Sequence, residues 1–151
     1  MYSQGHCVIC GMLCKRFLCR EHRKYYTYDK RFNFFRMNPR VKVSGPQQKL
    51  YKIIRRITKS PTVQEVTFDF FPYARYDIVV PEKKMIVEYD GEQHFKFIKH
   101  FHKTKEGYEK YKDKSQQKQE VAENMGWDVK RFSYVEKIDD EDYIRKVLPL
   151  K

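Results

Sequence analysis

The sequence predicts a mixed α/β domain preceded by a small zinc-binding module. Three observations predict it. All four cysteines fall within the first nineteen residues. Residues 44–151 read in the order helix, three strands, helix, strand, helix. Charge also changes abruptly between the two parts. Residues 1–43 carry ten Lys and Arg against only Glu21 and Asp29, a net of +8, whereas the rest of the chain carries only +4. The 151 residues are 40% hydrophobic and 16% aromatic, enough to form a core, which argues against wholesale disorder. A total charge of +12 predicts a polyanionic partner. No apolar run approaches the roughly 18 residues of a membrane span, and residues 1–6 lack a signal peptide's apolar stretch. An intracellular protein with no membrane partner is therefore expected, in the cytoplasm or nucleoid, or inside the host cell if viral.

Residues 1–24 form the expected zinc module. Cys7-Val8-Ile9-Cys10 is a CxxC followed by Gly11, and Cys19-Arg20-Glu21-His22 is a CxxH. Together Cys7, Cys10, Cys19 and His22 supply three sulfurs and one nitrogen for a tetrahedral zinc. Cys14 is the spare cysteine, with a swap of Cys14 for His22 as the alternative. Free thiols are the competing reading. The expected zinc is structural, because four protein ligands leave no position for water.

Residues 25–43 read as a basic, aromatic linker and DNA-binding arm. From residue 15 onward, basic residues alternate with Phe17, Tyr25, Tyr26, Tyr28, Phe32, Phe34 and Phe35. Lys15, Arg16, Arg23, Lys24, Arg31 and Arg36 are candidate phosphate contacts. The rings could stack on bases or pack on the main domain.

Residues 44–151 form the expected main domain. Ser44 is an N-cap candidate, with Pro46 in the first turn and an apolar stripe of Leu50, Ile53, Ile54 and Ile57. The helix should end before Pro61. Strands are expected over 63–71, 75–80 and 85–90, with residues 81–84 as a hairpin loop. A helix over 107–125 should bury Tyr108, Tyr111, Val121, Ala122 and Met125, with Gly126 as its C-terminal glycine. A strand over 127–134 and a helix over 140–148 complete the domain.

The four-residue hairpin loop fixes a register. Val80 pairs with Met85, so Asp77 faces Glu88, with Asp90 on the same side. Three acids then share one face of otherwise apolar strands. Like charges placed so are destabilising, which calls for a cation between them, and a hard ion such as Mg²⁺ takes oxygen ligands. The competing reading is a salt-bridged face with Arg75 opposite Asp90.

The blocks Tyr76-Asp77-Ile78-Val79-Val80-Pro81-Glu82 and Ile86-Val87-Glu88-Tyr89-Asp90-Gly91-Glu92-Gln93-His94-Phe95 resemble the PD-(D/E)xK nuclease superfamily. The similarity is to its very-short-patch-repair branch and to phage or mobile-element (homing-type) endonucleases with an E-x-D-G-x-x-H block. It spans roughly residues 44–134 and includes the helix start at Gly45-Pro46-Gln47-Gln48 and the turn at Gly126-Trp127. The resemblance implies a restriction-endonuclease-like mixed sheet flanked by helices. It implies that Asp77 and Glu88 hold Mg²⁺. Asp90 stands where the plain motif has lysine, and His94 is the better candidate acid or base. Gln47 or Gln48 takes the place of a helix-borne acid; Gln48 is the candidate to hold a metal-bound water or ligate through its carbonyl.

The function expected is Mg²⁺-dependent endonuclease cleavage of double-stranded or branched DNA, with the zinc-stabilised arm adding affinity. A homodimer is expected if both strands are cut. His100 and His102 are expected at the surface. The alternative is a non-catalytic zinc-containing nucleic-acid-binding protein, an inactive nuclease relative or an RNA-binding one. Elemental analysis should find about one zinc per chain, as a single closed four-ligand site requires. The zinc should be lost in Cys10→Ser and kept in Cys14→Ser, and the reverse pattern would overturn the ligand set.

Overall fold

A computed structural model describes residues 41–68 and 70–148, together with the backbone of residues 5–6, 13–14, 20 and 36–37. The side chains of Cys7, Cys10, Cys19 and His22, and of Lys15, Arg16, Arg23, Lys24, Arg31 and Arg36, lie outside the described residues. Two short strands, β1 (Gly5–His6) and β2 (Leu13–Cys14), pair antiparallel. The backbone of β3 (Arg36–Met37) pairs with the main sheet, so that sheet extends into the segment expected to be the arm.

Helix α1 (Gly45–Thr58) starts as expected, with the Gln47 amide donating to Ser44 Oγ at 3.3 Å. Leu50, Ile53, Ile54 and Ile57 are all buried along one stripe. Lys59, left-handed at φ 52°, ends the helix two residues before Pro61. Strands β4 (Val63–Phe68), β5 (Phe71–Val80) and β6 (Met85–Asp90) then run antiparallel. The expected register holds, with Ile78 opposite Val87, Val79 opposite Ile86 and Val80 opposite Met85.

Strand β5 begins four residues earlier than the sequence suggests. Its first half pairs only with β4, because pairing to β6 covers Ile78–Val80. Pro72, which has no N–H, is tolerated where one edge is free.

The connection to β7 (Asp128–Ser133) crosses over through α2 (Lys99–His102) and the twenty-residue α3 (Lys105–Asn124). Helix α3 starts two residues earlier than expected because Thr104 caps it, accepting from the Gly107 amide. Gly126 follows at φ 88°, a left-handed conformation suited to glycine at a helix end. Met125 is exposed rather than buried, while Ala122 is fully buried. The β7 strand pairs parallel to β6, so the sheet is mixed, in the order β3-β4-β5-β6-β7. Helix α4 (Glu141–Val147), capped by Asp140, closes the chain.

Alternation along the strands sorts the core into two layers. Val79, Ile86 and Trp127 pack with Ala122 of α3 on one face. Ile78, Val80, Val87 and Phe132 pack with α1 and α4 on the other. The four-stranded mixed sheet β4–β7 is thus covered by helices on both sides. Among the described residues no helix is long and apolar enough to cross a membrane.

Phe132 is completely buried between the sheet and the α1–α4 layer. Phe132→Ala should cost about 3–5 kcal/mol through lost burial plus a cavity. Tyr73→Ala, on an exposed ring, should stay within about 0.5 kcal/mol of the parent. Urea denaturation of both variants measures the difference, and equal midpoints would contradict this layering.

Candidate active site

Asp77 and Glu88 lie where β5 and β6 stop pairing through their backbones, and their side chains continue the connection. Glu88 Oε2 accepts from the Asp77 amide at 3.0 Å, and Asp77 Oδ2 accepts from the Tyr89 amide at 2.8 Å. Alternation along β6 puts Glu88 and Asp90 on the α3 side of the sheet with Ile86, and the Asp77 carboxyl lies beside Glu88. Glu88 and Asp90 are only 2% and 6% exposed. The expected arrangement of three acids on one face is therefore present.

What faces the acids was not expected. Lys118 of α3 forms an ion pair with Glu88 Oε1. Buried Tyr76 fixes that lysine: its hydroxyl donates to the Lys118 carbonyl at 2.8 Å, and its ring lies 4.7 Å from Lys118 Nζ. Arg131 of β7 donates to Asp90 Oδ1 at 2.7 Å and is braced by Gln119 and the Ser115 carbonyl. Arg75 does not reach Asp90. It pairs instead with Glu65 Oε2 at 2.8 Å. Glu65 is a buried residue of β4 held at φ 54°, a conformation costly for a non-glycine.

His94 follows β6 in a short 3-10 turn (Glu92–His94). Its Nδ1 lies 3.4 Å from Asp90 Oδ1, and its Nε2 lies 2.7 Å from the Tyr111 hydroxyl. With Nδ1–H directed at Asp90, Nε2 accepts from Tyr111. Burial lowers the imidazole below its ordinary 6.5, although Asp90 opposes the shift. Burial also pushes the Tyr111 hydroxyl up to about 12. Tyr111 therefore acts as a neutral donor and His94 as a neutral acceptor at physiological pH.

Gln47 rather than Gln48 lines the site. Its Nε2 donates to Glu65 Oε1 at 3.0 Å and to the Asp77 carbonyl at 3.2 Å. Gln48 accepts from Gln64 and is not part of the cavity wall. The helical turn explains the exchange: Gln47 shares the buried side of α1 with Leu50 and Ile54. His102 is also a correction. It is buried, its Nδ1 accepts from the Ile98 amide at 3.0 Å, and its ring packs on Tyr108 and Tyr111. His100 is exposed.

These groups surround a cavity of about 630 Å³ lined by Gln47, Asp77, Glu88, His94, Tyr111 and Lys118, among others. Asp77 has no ion-pair partner among the described residues. Burial, then the neighbouring Glu88, raises its carboxyl well above the ordinary 3.8. Burial alone would raise Glu88 too, but Lys118 outweighs it and holds the group below the ordinary range. Asp77 is thus the member of the pair that keeps its proton.

Two adjacent carboxylates, one of them without a cation, suit a hard divalent ion that needs one or two carboxylates and retains waters. Among the described residues no three or more His, Cys, Asp or Glu side chains gather into a metal-binding group. The third acid, Asp90, turns to Arg131.

Lys118 and Arg131 were legible in principle. Tyr111, Ser115, Lys118 and Ala122 follow at i, i+4, i+7 and i+11, one helical stripe. A lysine on a partly buried stripe needs an acid partner. Arg131 alternates with Val129 on the α3 face of β7.

No family model matches the sequence, and no solved structure matches it. The chain is 51% identical over 39 residues to uncharacterized protein 307L of Invertebrate iridescent virus 6. The match takes in 24% of this chain and 20% of that protein's length.

The raised Asp77 carboxyl has a consequence for stability. The folded state holds this proton more tightly than the unfolded state, so stability falls as pH rises from 3.8 toward the folded pKa. At neutral pH Asp77→Asn should therefore be more stable than the parent. Mg²⁺ should stabilise the parent, by about 2.7 kcal/mol at a hundredfold excess over Kd, and should leave Asp77→Asn unchanged. Thermal denaturation with and without Mg²⁺ reads both effects, and an equal Mg²⁺ response in the two proteins would refute this placement of the ion.

Proposed function

We propose that this protein is a Mg²⁺-dependent endonuclease that hydrolyses phosphodiester bonds in DNA. The observation that carries the reading is the adjacent Asp77–Glu88 pair, Glu88 buried and Asp77 half-buried, at the head of a cavity with cationic side chains around it. The resemblance of the 76–95 segment to PD-(D/E)xK nucleases supports it.

Asp77 and Glu88 would hold the ion, which when bound polarises a scissile phosphate and lowers the pKa of water. Lys118 keeps Glu88 ionised and brings an ammonium to the site from α3. The plain motif carries its lysine at the place of Asp90; here Lys118 supplies a cation to the same carboxylate from a different element. Arg131 and Asp90 fix the orientation of His94 through Nδ1. His94 can then hold or move a proton at Nε2, once Tyr111 exchanges its hydrogen bond for one from substrate or water. Lys42 and Lys114, also on the cavity wall, can neutralise flanking phosphates. The zinc expected at Cys7, Cys10, Cys19 and His22 has a structural part in this reading, and the basic arm adds affinity.

The alternative, a non-catalytic nucleic-acid-binding protein, draws support from the internal pairing of Glu88 and Asp90 with Lys118 and Arg131. Asp77 separates the readings. Pure binding gains nothing from a half-buried carboxyl with no cation of its own beside a phosphate site.

The test is incubation with plasmid, branched DNA and RNA, in Mg²⁺ and in EDTA. Cleavage of DNA in Mg²⁺ alone is expected. Asp77→Asn and Glu88→Gln should abolish it while binding DNA at least as well as the parent, since the first removes no positive charge and the second removes a repulsion. His94→Ala should lose about 10²–10⁴-fold if the imidazole moves a proton. No cleavage of any substrate, or full cleavage by Asp77→Asn, would overturn the nuclease reading.

A further inference from the structure

Two exposed phenylalanines stand beside the candidate active site. Phe101 is 61% exposed and lines the main cavity. Phe95 is 52% exposed and lines a second cavity of about 230 Å³. The two cavities share Asp90, His94, Ser115 and Arg131 as a common wall. An exposed ring therefore stands on each side of His94.

The segment bearing the rings is basic and firmly held. Between Glu92 and Lys105 it carries Lys96, Lys99, Lys103 and Lys105 against one acid, Glu92. Its far end is anchored by His102, buried against Tyr108 and Tyr111 with Nδ1 bonded to the Ile98 amide. Gly107 lets α3 press directly on the His102 carbonyl; a Cβ there would collide with it. This packing fixes the Phe101 end of the segment, and Phe95 rests against Tyr134; both rings nonetheless stay exposed, although large apolar rings normally turn inward.

From this arrangement we infer that the 95–103 segment is a stacking surface for unpaired bases, so that the strand crossing the site is single-stranded there. This rests on the nuclease reading above for what happens at Asp77 and Glu88, but not for the binding itself. The chemistry favours single strands over duplex. In a duplex the base faces are stacked on one another and a protein meets backbone and groove edges. An exposed phenyl ring reaches a π-face in an unpaired strand without the unstacking that wedging into a duplex costs. Interleaved lysines meet the phosphates between successive bases, and base–aromatic stacking tolerates any sequence. A branched or flapped DNA offers such a strand next to a duplex for the basic arm.

The experiment measures binding of the full chain to a 20-nucleotide oligo-dT and to a duplex of the same length, by fluorescence anisotropy without added Mg²⁺, so that any zinc stays in place and no turnover is needed. Phe101→Ala and Phe95→Ala should each weaken oligo-dT binding by about 5- to 150-fold, the range for one lost base stack. Duplex binding should be unchanged. Phe101→Trp should retain oligo-dT affinity, and its added fluorescence should be quenched on binding. Both phenylalanines are exposed, so the alanine variants should keep the parent's melting temperature. Equal weakening of both ligands, or of neither, would overturn the inference. A change in oligomeric state of Phe101→Ala, with oligo-dT binding intact, would overturn it in favour of a second copy of this chain on the patch. The two proposals fail separately. Ring-dependent oligo-dT binding without cleavage of any nucleic acid would leave the stacking surface and remove the nuclease. Mg²⁺-dependent cleavage with ring-independent binding would do the reverse.

Discussion

The structure turns on keeping three carboxylates on the α3 face of an apolar sheet. Each ionised group buried without a partner would cost several kcal/mol, comparable to the whole stability of a small domain. Two of the three are matched by cations from other elements, Glu88 by Lys118 and Asp90 by Arg131. The fold around them follows from this matching. Helix α3 must lie across β6 for Lys118 to reach Glu88. Strand β7 must run parallel beside β6, Glu88 opposite Arg131, for the guanidinium to reach the carboxylate of Asp90 two residues on. Buried Tyr76 fixes the first arrangement, since it holds the Lys118 carbonyl and carries its ammonium on the ring.

The sequence made the sheet legible because its signals were local. A four-residue loop fixed the β5–β6 register, and that register alone put Asp77 beside Glu88. The Ser44–Pro46 start and the Leu50–Ile57 stripe set α1 in the same way, through bonds and spacings within a dozen residues. Even the boundaries that moved did so for local reasons: Thr104 capped α3 earlier, and Pro72 found an edge that needed no donor.

What escaped the sequence depended on distant partners. Arg75 could be set against Asp90 only by extending the β5–β6 register beyond Ile78, where the strands have ceased to pair. There β5 belongs to β4, and Arg75 meets Glu65. Lys118 shares a stripe with Tyr111, Ser115 and Ala122, but its partner Glu88 lies on a distant strand, and only the packing of α3 on Tyr76 brings the two together. His102 looked like one of several loop histidines until the one-turn helix α2 folded it under Tyr108. The exchange of Gln48 for Gln47 was of another kind. A single helical step of about 100° decides which of two neighbouring glutamines faces the core.

The charges left over after pairing give the site its direction. Glu65, Glu88 and Asp90 are consumed by Arg75, Lys118 and Arg131. Asp77 remains at the head of the cavity, and Lys42 and Lys114, exposed on its wall, have no ion pair among the described residues. The interior thus keeps one carboxyl whose proton a cation can displace, and the mouth keeps a surplus of positive charge. Two unit charges about 4 Å apart interact by about 4 kcal/mol at the effective dielectric of such a site, so a cation drawn to Asp77 is held by a force that salt screens only weakly. The mouth is different. Exposed lysines act through water with a screening length of about 8 Å at physiological salt, so their pull on a polyanion weakens as salt rises. A cation seated within and a phosphate steered at the rim are the two ligands this polarity fits, and each would lower the cost of binding the other by neutralising it.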